Sequence, residues 1–573
     1  MSNISFNQFN SSSSNLELSN NQNSNFIKIP SKDGLPSYQI FNSPIITSDN
    51  DNRTYRLIKL NNHLNAIIIH DPKTDKSAAA MDVNVGHLSD PPHLQGLAHF
   101  CEHLLFMGNQ KYPSENDYSE YLAKNSGHSN AFTGLDNTVY FFDVHPSALD
   151  GALDRFSQFF ISPIFSDSCT EREIRVVDSE NSKNLQSDVW RIFQLDKATS
   201  SPSHSFWKFG TGNLQTLWDR PRANGLDIRK ELLKFYASHY SSNVMNLAVL
   251  GKESLDDLTH LVVQKFSPVP NNHIQPDRFD GSPYTNLELN KIIYAQMIKD
   301  TNLLEITFPL PDQDPYYDTQ PLGFISHYIG HEGLGSIASH LKKMGWINTL
   351  QSGSSGGATG FELLKITLDL TVDGLINYQQ VLKIIFAYLD LLRATPPQEW
   401  AFKEQVLLSK TRFKFKSPTS PSSYVTSLAS WLRRPCPREK IISSVYLAEK
   451  FDDKLIQENL QFLHPQNCRI LVGTQNPLDG INYNLKEEWY GTKYTIKDLP
   501  INFLHSETPF DFLALPPPNS FISTNFQVDK LQDIIKPTRR PNCLIDNSFN
   551  RIWHKKDDRW WLPRAMVIMM IRK

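Results

Sequence analysis

The stretch TYRLIKLNNHLNAIIIHDPKTDKSAAAMDVNVG, Thr54 to Gly86, decides the fold class. Its apolar residues are rich in β-formers and its turns are marked by Asn61-Asn62 and Asp71-Pro72, so it reads as strand, turn, strand, loop, strand. GLAHFCEHLLFMGN (Gly96 to Asn109) then switches period. Leu94, Leu97, Ala98, Cys101, Leu104 and Leu105 stand at offsets of 0, 3, 4, 7, 10 and 11, which trace one face of an α-helix. Downstream, PSALDGALDRFSQFF (146–160) predicts a further amphipathic helix and NVMNLAVLG (243–251) a buried strand. The expectation is an α+β unit over residues 46–280.

The same succession returns. NLLEITFPLP (302–311) reads as a strand, TQPLGFISHYIGHEG (319–333) and VDGLINYQQVLKIIFAYLDLLR (372–393) as helices, and NCRILVG (467–473) as a closing strand. Two similar α+β units in tandem is the economical reading, with the second over 281–510. Residues 1–45 are rich in Asn and Ser and predict a disordered segment. LALPPPNS (513–520) predicts a linker over 511–545. NRIWHKKDDRWWLPRAMVIMMIRK (550–573) predicts the strand-turn-strand opening of a third unit, truncated over 546–573.

Bulk properties narrow the function. A formal net charge of −3 gives no electrostatic footprint for nucleic acid or an anionic membrane. No segment reaches the roughly 18 apolar residues of a membrane helix. The five cysteines are scattered and odd in number, which favours a reducing compartment over a disulfide framework. The N-terminus carries neither an apolar signal core nor an Arg-rich presequence, so the expected location is cytoplasmic.

Against that background His99, Glu102 and His103 stand out, because polar groups in an oily helix are costly unless they have work to do. Histidines at i and i+4 can converge on one Zn²⁺, and the carboxylate beside the second can reach water at the metal. H-x-x-E-H is the inverzincin pattern. A catalytic zinc needs a third protein ligand. EREIRVVDSENSKN (171–184) offers Glu173 and Glu180, seven apart and on one helical face, and spacing does not choose between them. The ordinary alternative for both is a solvated charged face. In the second unit the matching segment runs His327-Tyr328-Ile329-Gly330-His331, without the glutamate.

HFCEHLLFMGNQKYPSENDYSEYLAKNSGHSNAFT, VVDSENSKN, FGTGNLQTL, IGHEGLGSI, PQEW and EEWYGTKY together resemble the insulysin branch of the pitrilysin family of zinc peptidases, from about Tyr55 to Pro563. The resemblance implies a family of four homologous α+β domains in two halves around a chamber, of which this chain matches the first half and the start of the third domain. It implies a single Zn²⁺ on His99, His103 and Glu180, with Glu173 orienting a ligand histidine, and Glu102 as general base of a metalloendopeptidase. It further implies that Asn130, Ala131 and Phe132 pair with an extended substrate peptide. Phe106, Trp190 and Phe193 match pocket positions, with core packing as their plain alternative. An exosite falls around His331, Gly335 and Gly353, where a turn-rich loop is the alternative. In the family the final domain supplies donors that this chain's match does not include. That leaves two other readings: a weak or inactive peptide-binding half that pairs with a C-terminal-half polypeptide or a full-length relative, and a mitochondrial processing peptidase subunit.

Overall fold

The computed structural model describes residues 25–32, 34–500, 511–527, 539–556, 563 and 565–571. The disorder expected over residues 1–24 therefore lies outside the described residues, as do residues 528–538 of the expected linker. The first sheet has eight strands: β1 (Phe26–Ile29), β2 (Tyr38–Phe41), β3 (Thr54–Leu60), β4 (Asn65–His70), β5 (Ser77–Val83), β6 (His128–Thr133), β7 (Thr138–Val144) and β8 (Met245–Gly251). Their spatial order is β1-β2-β3-β4-β8-β5-β7-β6, antiparallel throughout except for the β4–β8 pair.

The expectation of disorder up to residue 45 is corrected by β1 and β2. Phe26 pairs with Phe41 across them, and β2 continues onto β3. The apolar alternation of FIKI and YQIF is short, and the Asn and Ser around it dilute its signal in any composition average.

The second sheet holds β9 (Lys291–Gln296), β10 (Leu303–Pro311), β11 (Ile347–Ser354), β12 (Phe361–Leu370), β13 (Arg469–Thr474), β14 (Leu485–Lys486) and β15 (Lys493–Asp498). Its order is β11-β12-β10-β13-β9-β15-β14, and again one pair, β9–β13, is parallel. The helices used below are α1 (Leu97–Leu105), α2 (Asp117–Lys124), α3 (Leu149–Ile161), α4 (Asp167–Asn184), α5 (Asp188–Ala198), α6 (Ile228–His239), α7 (Pro321–Ile329), α8 (Ile337–Lys343), α9 (Tyr378–Ala394), α10 (Glu399–Lys414), α11 (Pro421–Trp431) and α12 (Asp453–Gln461). In chain order the first unit runs β5-α1-α2-β6-β7-α3-α4-α5-α6-β8 and the second β10-α7-α8-β11-β12-α9-α10-α11-α12-β13. The tandem α+β architecture is thus present element by element, with β6 and β11 as equivalent edge strands. The helix expected over 372–393 breaks at Asn377, after a short helix at Val372–Ile376.

The two units exchange cover. In β5, Ala79 and Met81 face the core beneath α1 and α3, while Ala78 and Ala80 face the opposite side, as the period of two requires. That opposite side, with Leu57, Ile67, Ile69, Ala248 and Leu250, is covered by Tyr424, Val425, Leu428 and Ala429 of α11, which belongs to the second unit. Reciprocally, Ile192 and Leu195 of α5 cover Ile293, Ala295 and Leu471 of the second sheet. Each exchange carries a buried charge cluster. Arg433, just past α11, bonds both carboxylate oxygens of Asp136 at 3.1 Å and lies 3.9 Å from buried Asp82. Asp196 of α5 meets Lys365 and Arg469, each at 3.3 Å.

The C-terminal expectation shifts as well. The hairpin is β16 (Asn542–Asp546) with β17 (Arg551–His554), so the turn is Asn547–Asn550 and the first strand lies in the segment expected to be linker. Among the described residues, 565–571 form no strand. Also among the described residues, no helix is long and apolar enough to cross a membrane, and all five cysteines are free thiols.

Candidate active site

Helix α1 is fixed at its start by Asp90, whose two carboxylate oxygens accept the Gly96 and Ala98 N–H groups at 2.7 Å each. Burial pushes the Asp90 carboxyl up to about 7. Gly96 takes φ +90°, and a Cβ there would lie 2.2 Å from the Gly212 Cα, so the helix entry and the 209–217 loop fit only with glycine. Asp178 on α4 accepts the Leu214 N–H at 2.9 Å and ties the same loop to α4.

This packing puts the polar face of α1 against α4. His99 Nδ1 donates to the Thr211 carbonyl at 2.7 Å, which leaves Nε2 as its free lone pair. His103 Nδ1 lies 3.5 Å from a Glu173 carboxylate oxygen, which fixes the other ring in the same sense. Both Nε2 atoms then look at Glu180, whose carboxylate is 3.5 Å from His99 and 3.7 Å from His103. Ligand atoms of these three residues lie within 4.8 Å of one another, and they are the one such metal-competent group among the described residues. Glu173 and Glu180 do share a helix face, and the geometry separates their positions: Glu180 closes the triangle, Glu173 stands behind His103. Although burial opposes its charge, the carboxylates of Glu173 and Glu180 hold the His103 proton up to about 9. A metal would take that proton's place on neutral imidazole. Nitrogen and carboxylate donors with oriented second partners are the donor set of a catalytic zinc site. With Glu173→Gln the expected result is a 10- to 100-fold loss of zinc affinity, read by competition with a metallochromic chelator.

Glu102 is 6% exposed and accepts a 2.6 Å hydrogen bond from Thr133 Oγ1 at the end of β6. Burial pushes its carboxyl above the ordinary range, against the opposing pull of His99 and of the Thr133 hydrogen bond. Cys101, between the ligands in sequence, is fully buried on the core face.

A cavity of about 560 Å³ opens onto this group, and the six residues expected to pair with a peptide or to form its pocket line it: Phe106, Asn130, Ala131, Phe132, Trp190 and Phe193. Phe106 also packs on Tyr118, Tyr140 and Phe159, so pocket and core share that ring. Among the described residues β6 is the last strand of its sheet, and its outer row of backbone donors and acceptors has no neighbouring strand there. Phe132 and Trp190 are 44% and 40% exposed.

Several wall residues carried no role in the sequence reading. Tyr490 belongs to the second unit and yet lines the cavity. Glu487 accepts the Trp489 and Tyr490 N–H groups, Arg191 donates to the Tyr490 carbonyl at 2.7 Å, and Trp489 stacks on Phe209 at 4.8 Å. Lys197 is wholly buried in the wall, in contact with His87 Nε2, and burial pushes its ammonium down to about 7. EEWYGTKY and FGTGNLQTL stand far apart in the sequence, and only folding brings them together.

The expected exosite residues are less uniform. Gly353 lies on edge strand β11, and His331, past the end of α7, accepts the Gly333 N–H at its Nδ1. Gly335 is not an open surface: its carbonyl accepts the Ala514 N–H at 3.0 Å, and a Cβ there would meet Ala514 at 2.9 Å. Pairing with 511–515 is a non-local event that the Gly-rich string does not reveal.

Three family models match the chain in sequence: "Insulinase (Peptidase family M16)" over 65–203, "Peptidase M16 inactive domain" over 227–407 and "Middle or third domain of peptidase_M16" over 413–573. The chain belongs to peptidase family M16. Within that family it is insulysin-like. It is 43% identical over 539 residues to the A-factor-processing enzyme of Saccharomyces cerevisiae, covering 94% of this chain and 52% of that protein. It is 43% identical over 543 residues to the insulin-degrading enzyme of Homo sapiens, covering 94% and 53%. The crystal structure of pitrilysin matches with a TM-score of 0.84 at 28% identity, over 91% of this chain and 55% of that one. The first half of the periplasmic protease PqqL from Escherichia coli shares the fold, with a TM-score of 0.57 at 16% identity over 75% of this chain and 93% of that one. The chain spans about half the length of the curated relatives it matches.

Proposed function

We propose that this chain is a zinc metalloendopeptidase that hydrolyses peptides of small to intermediate size. The convergence of His99, His103 and Glu180 on one point, beside a buried carboxylate and a free strand edge, carries the reading. Relatives named for degrading insulin and for processing A-factor support polypeptide substrates. In this reading His99, His103 and Glu180 hold one Zn²⁺, with Thr211 and Glu173 setting the two imidazole tautomers. The ion supplies Lewis acidity, which polarises a peptide carbonyl and acidifies water.

The protein's own groups do the rest. An extended peptide adds to β6 by main-chain hydrogen bonds along Asn130, Ala131 and Phe132, which places a peptide bond at the metal-facing end of the strand. Trp190, Phe193 and Phe106 take apolar side chains of that peptide. Glu102, steadied by Thr133, accepts a proton from the attacking water and returns it to the leaving amine. The wall contributed by Tyr490 makes the second unit part of the pocket. A cytoplasmic location fits the five free thiols.

The test uses the full chain, metal analysis and an internally quenched peptide. About one zinc per chain is expected, with cleavage that falls at least 100-fold on chelation and returns with stoichiometric zinc. Protein that holds no zinc, or cleavage indifferent to chelator, overturns the proposal. Zinc binding without turnover moves the conclusion to the peptide-binding half.

A further inference from the structure

The second unit repeats the arrangement of the metal site with its charges reversed. Helix α7 follows β10 as α1 follows β5, and α10 takes the place in the chain that α4 has in the first unit. Between α7 and α10 lies a separate cavity of about 240 Å³, lined by His327, Gln405, Ser409 and Arg412 over a floor of Phe324 and Phe402. On α4 the pair seven residues apart that faces the histidines of α1 is Glu173 and Glu180; on α10 the pair at the same spacing, lining the cavity, is Gln405 and Arg412. Two carboxylates that draw in a cation are paralleled by an amide and a guanidinium.

Two further observations say that these groups await a partner. Among the described residues, Gln405 Nε2 is buried and has no hydrogen-bond partner, which is costly for a donor unless something fills the space. Arg412 has no ion-pair partner among the described residues. The nearby carboxylate of Glu404 is engaged, accepting the Asn519 N–H at 3.1 and 3.3 Å. Burial, with His331 and Arg412 nearby, lowers the His327 pKa against the opposing pull of Glu404, which favours a neutral ring that offers one N–H beside the guanidinium.

We propose that this cavity is a second ligand site, distinct from the metal centre, that binds an oxyanion of carboxylate or phosphate type. Arg412 provides the charge and the planar fork, and Gln405 Nε2 provides a donor that only a bound acceptor satisfies. The oxyanion comes either from an acidic side chain of a peptide or from free phosphate, and the two sources are separable.

The experiment is calorimetric titration of the full zinc-loaded chain with acetyl-triglutamate amide, with its neutral acetyl-triglutamine counterpart and with inorganic phosphate. The same titrations are run on Arg412→Gln, Gln405→Leu and His99→Ala. At least one anionic probe is expected to bind saturably and the neutral peptide not at all. Binding weakens tenfold or more in Arg412→Gln and measurably in Gln405→Leu, and stays within twofold in His99→Ala. Triglutamate alone binding assigns the site to acidic peptides, and phosphate alone to the free ion. Arg412 is solvent-exposed, and an unchanged unfolding midpoint for that variant shows that its fold is intact. No saturable binding of either anion overturns the inference. So does a loss caused by His99→Ala instead of Arg412→Gln, which traces the anion to the metal. Zinc content and peptide cleavage are measured separately, so failure here is distinguishable from failure of the peptidase reading.

Discussion

Glu102→Gln keeps its zinc and loses peptide cleavage by about 100- to 10,000-fold, the range over which a positioned proton-transfer group contributes. The substitution preserves shape: an amide fills the same buried space and its carbonyl oxygen still accepts from Thr133 Oγ1. What it removes is basicity. Glu102 is not one of the three residues whose ligand atoms converge, so metal content is expected to stay near one per chain. The measurement is kcat/KM on a quenched peptide alongside elemental analysis of the same sample. Cleavage within tenfold of the unmodified chain removes Glu102 from the proton-transfer role. Loss of zinc with loss of activity places it instead among the groups that hold the metal.

The parts of this site that the sequence discloses are those carried by local periodicity. His99, Glu102 and His103 declare themselves because an α-helix brings i and i+4 together, and Glu173 and Glu180 because seven residues make two turns. Periodicity cannot decide which of the two glutamates reaches the cleft, since that depends on the crossing of α1 and α4, which Asp90, Gly96 and the Asp178–Leu214 contact set. Contacts between the units leave no periodic trace at all. PSSYVTSLASW is an ordinary amphipathic helix on paper, and nothing in it says that its apolar face lies on the other unit's sheet. Tyr490 in the cavity wall and Ala514 over Gly335 escape for the same reason. The hairpin of β1 and β2 escapes because four-residue strands are too short to outweigh the Asn and Ser around them.

The exchange of helices leads to the second large effect: a fragment of residues 25–280, the unit that carries the candidate metal site, is expected not to fold to a zinc-competent state. Removing the second unit uncovers Leu57, Ile67, Ile69, Val139 and Leu250, all at most 2% exposed in the whole chain. Each costs about 1.5–3 kcal/mol to leave in water. Together that is on the order of 10 kcal/mol, comparable to the entire stability of a domain. Electrostatics push the same way, because without Arg433 the carboxylates of Asp82 and Asp136 lose their buried cation. The metal site feels the loss through Arg191 and Phe209, which hold Tyr490 and Trp489 against the wall that carries Thr211. The fragment is expected to elute as aggregate, to lack a cooperative thermal transition and to bind zinc at least tenfold more weakly than the whole chain. A separately expressed 281–500 fragment, added during refolding, restores all three because it brings α11 and the Trp489–Tyr490 turn. A milder form of the test is Leu428→Ala in the full chain, which takes one side chain from the shared face and costs about 2–5 kcal/mol. If the 25–280 fragment instead melts cooperatively within a few degrees of the whole chain and binds zinc as tightly, the units are independent domains. The shared face would then be a surface each can afford to expose.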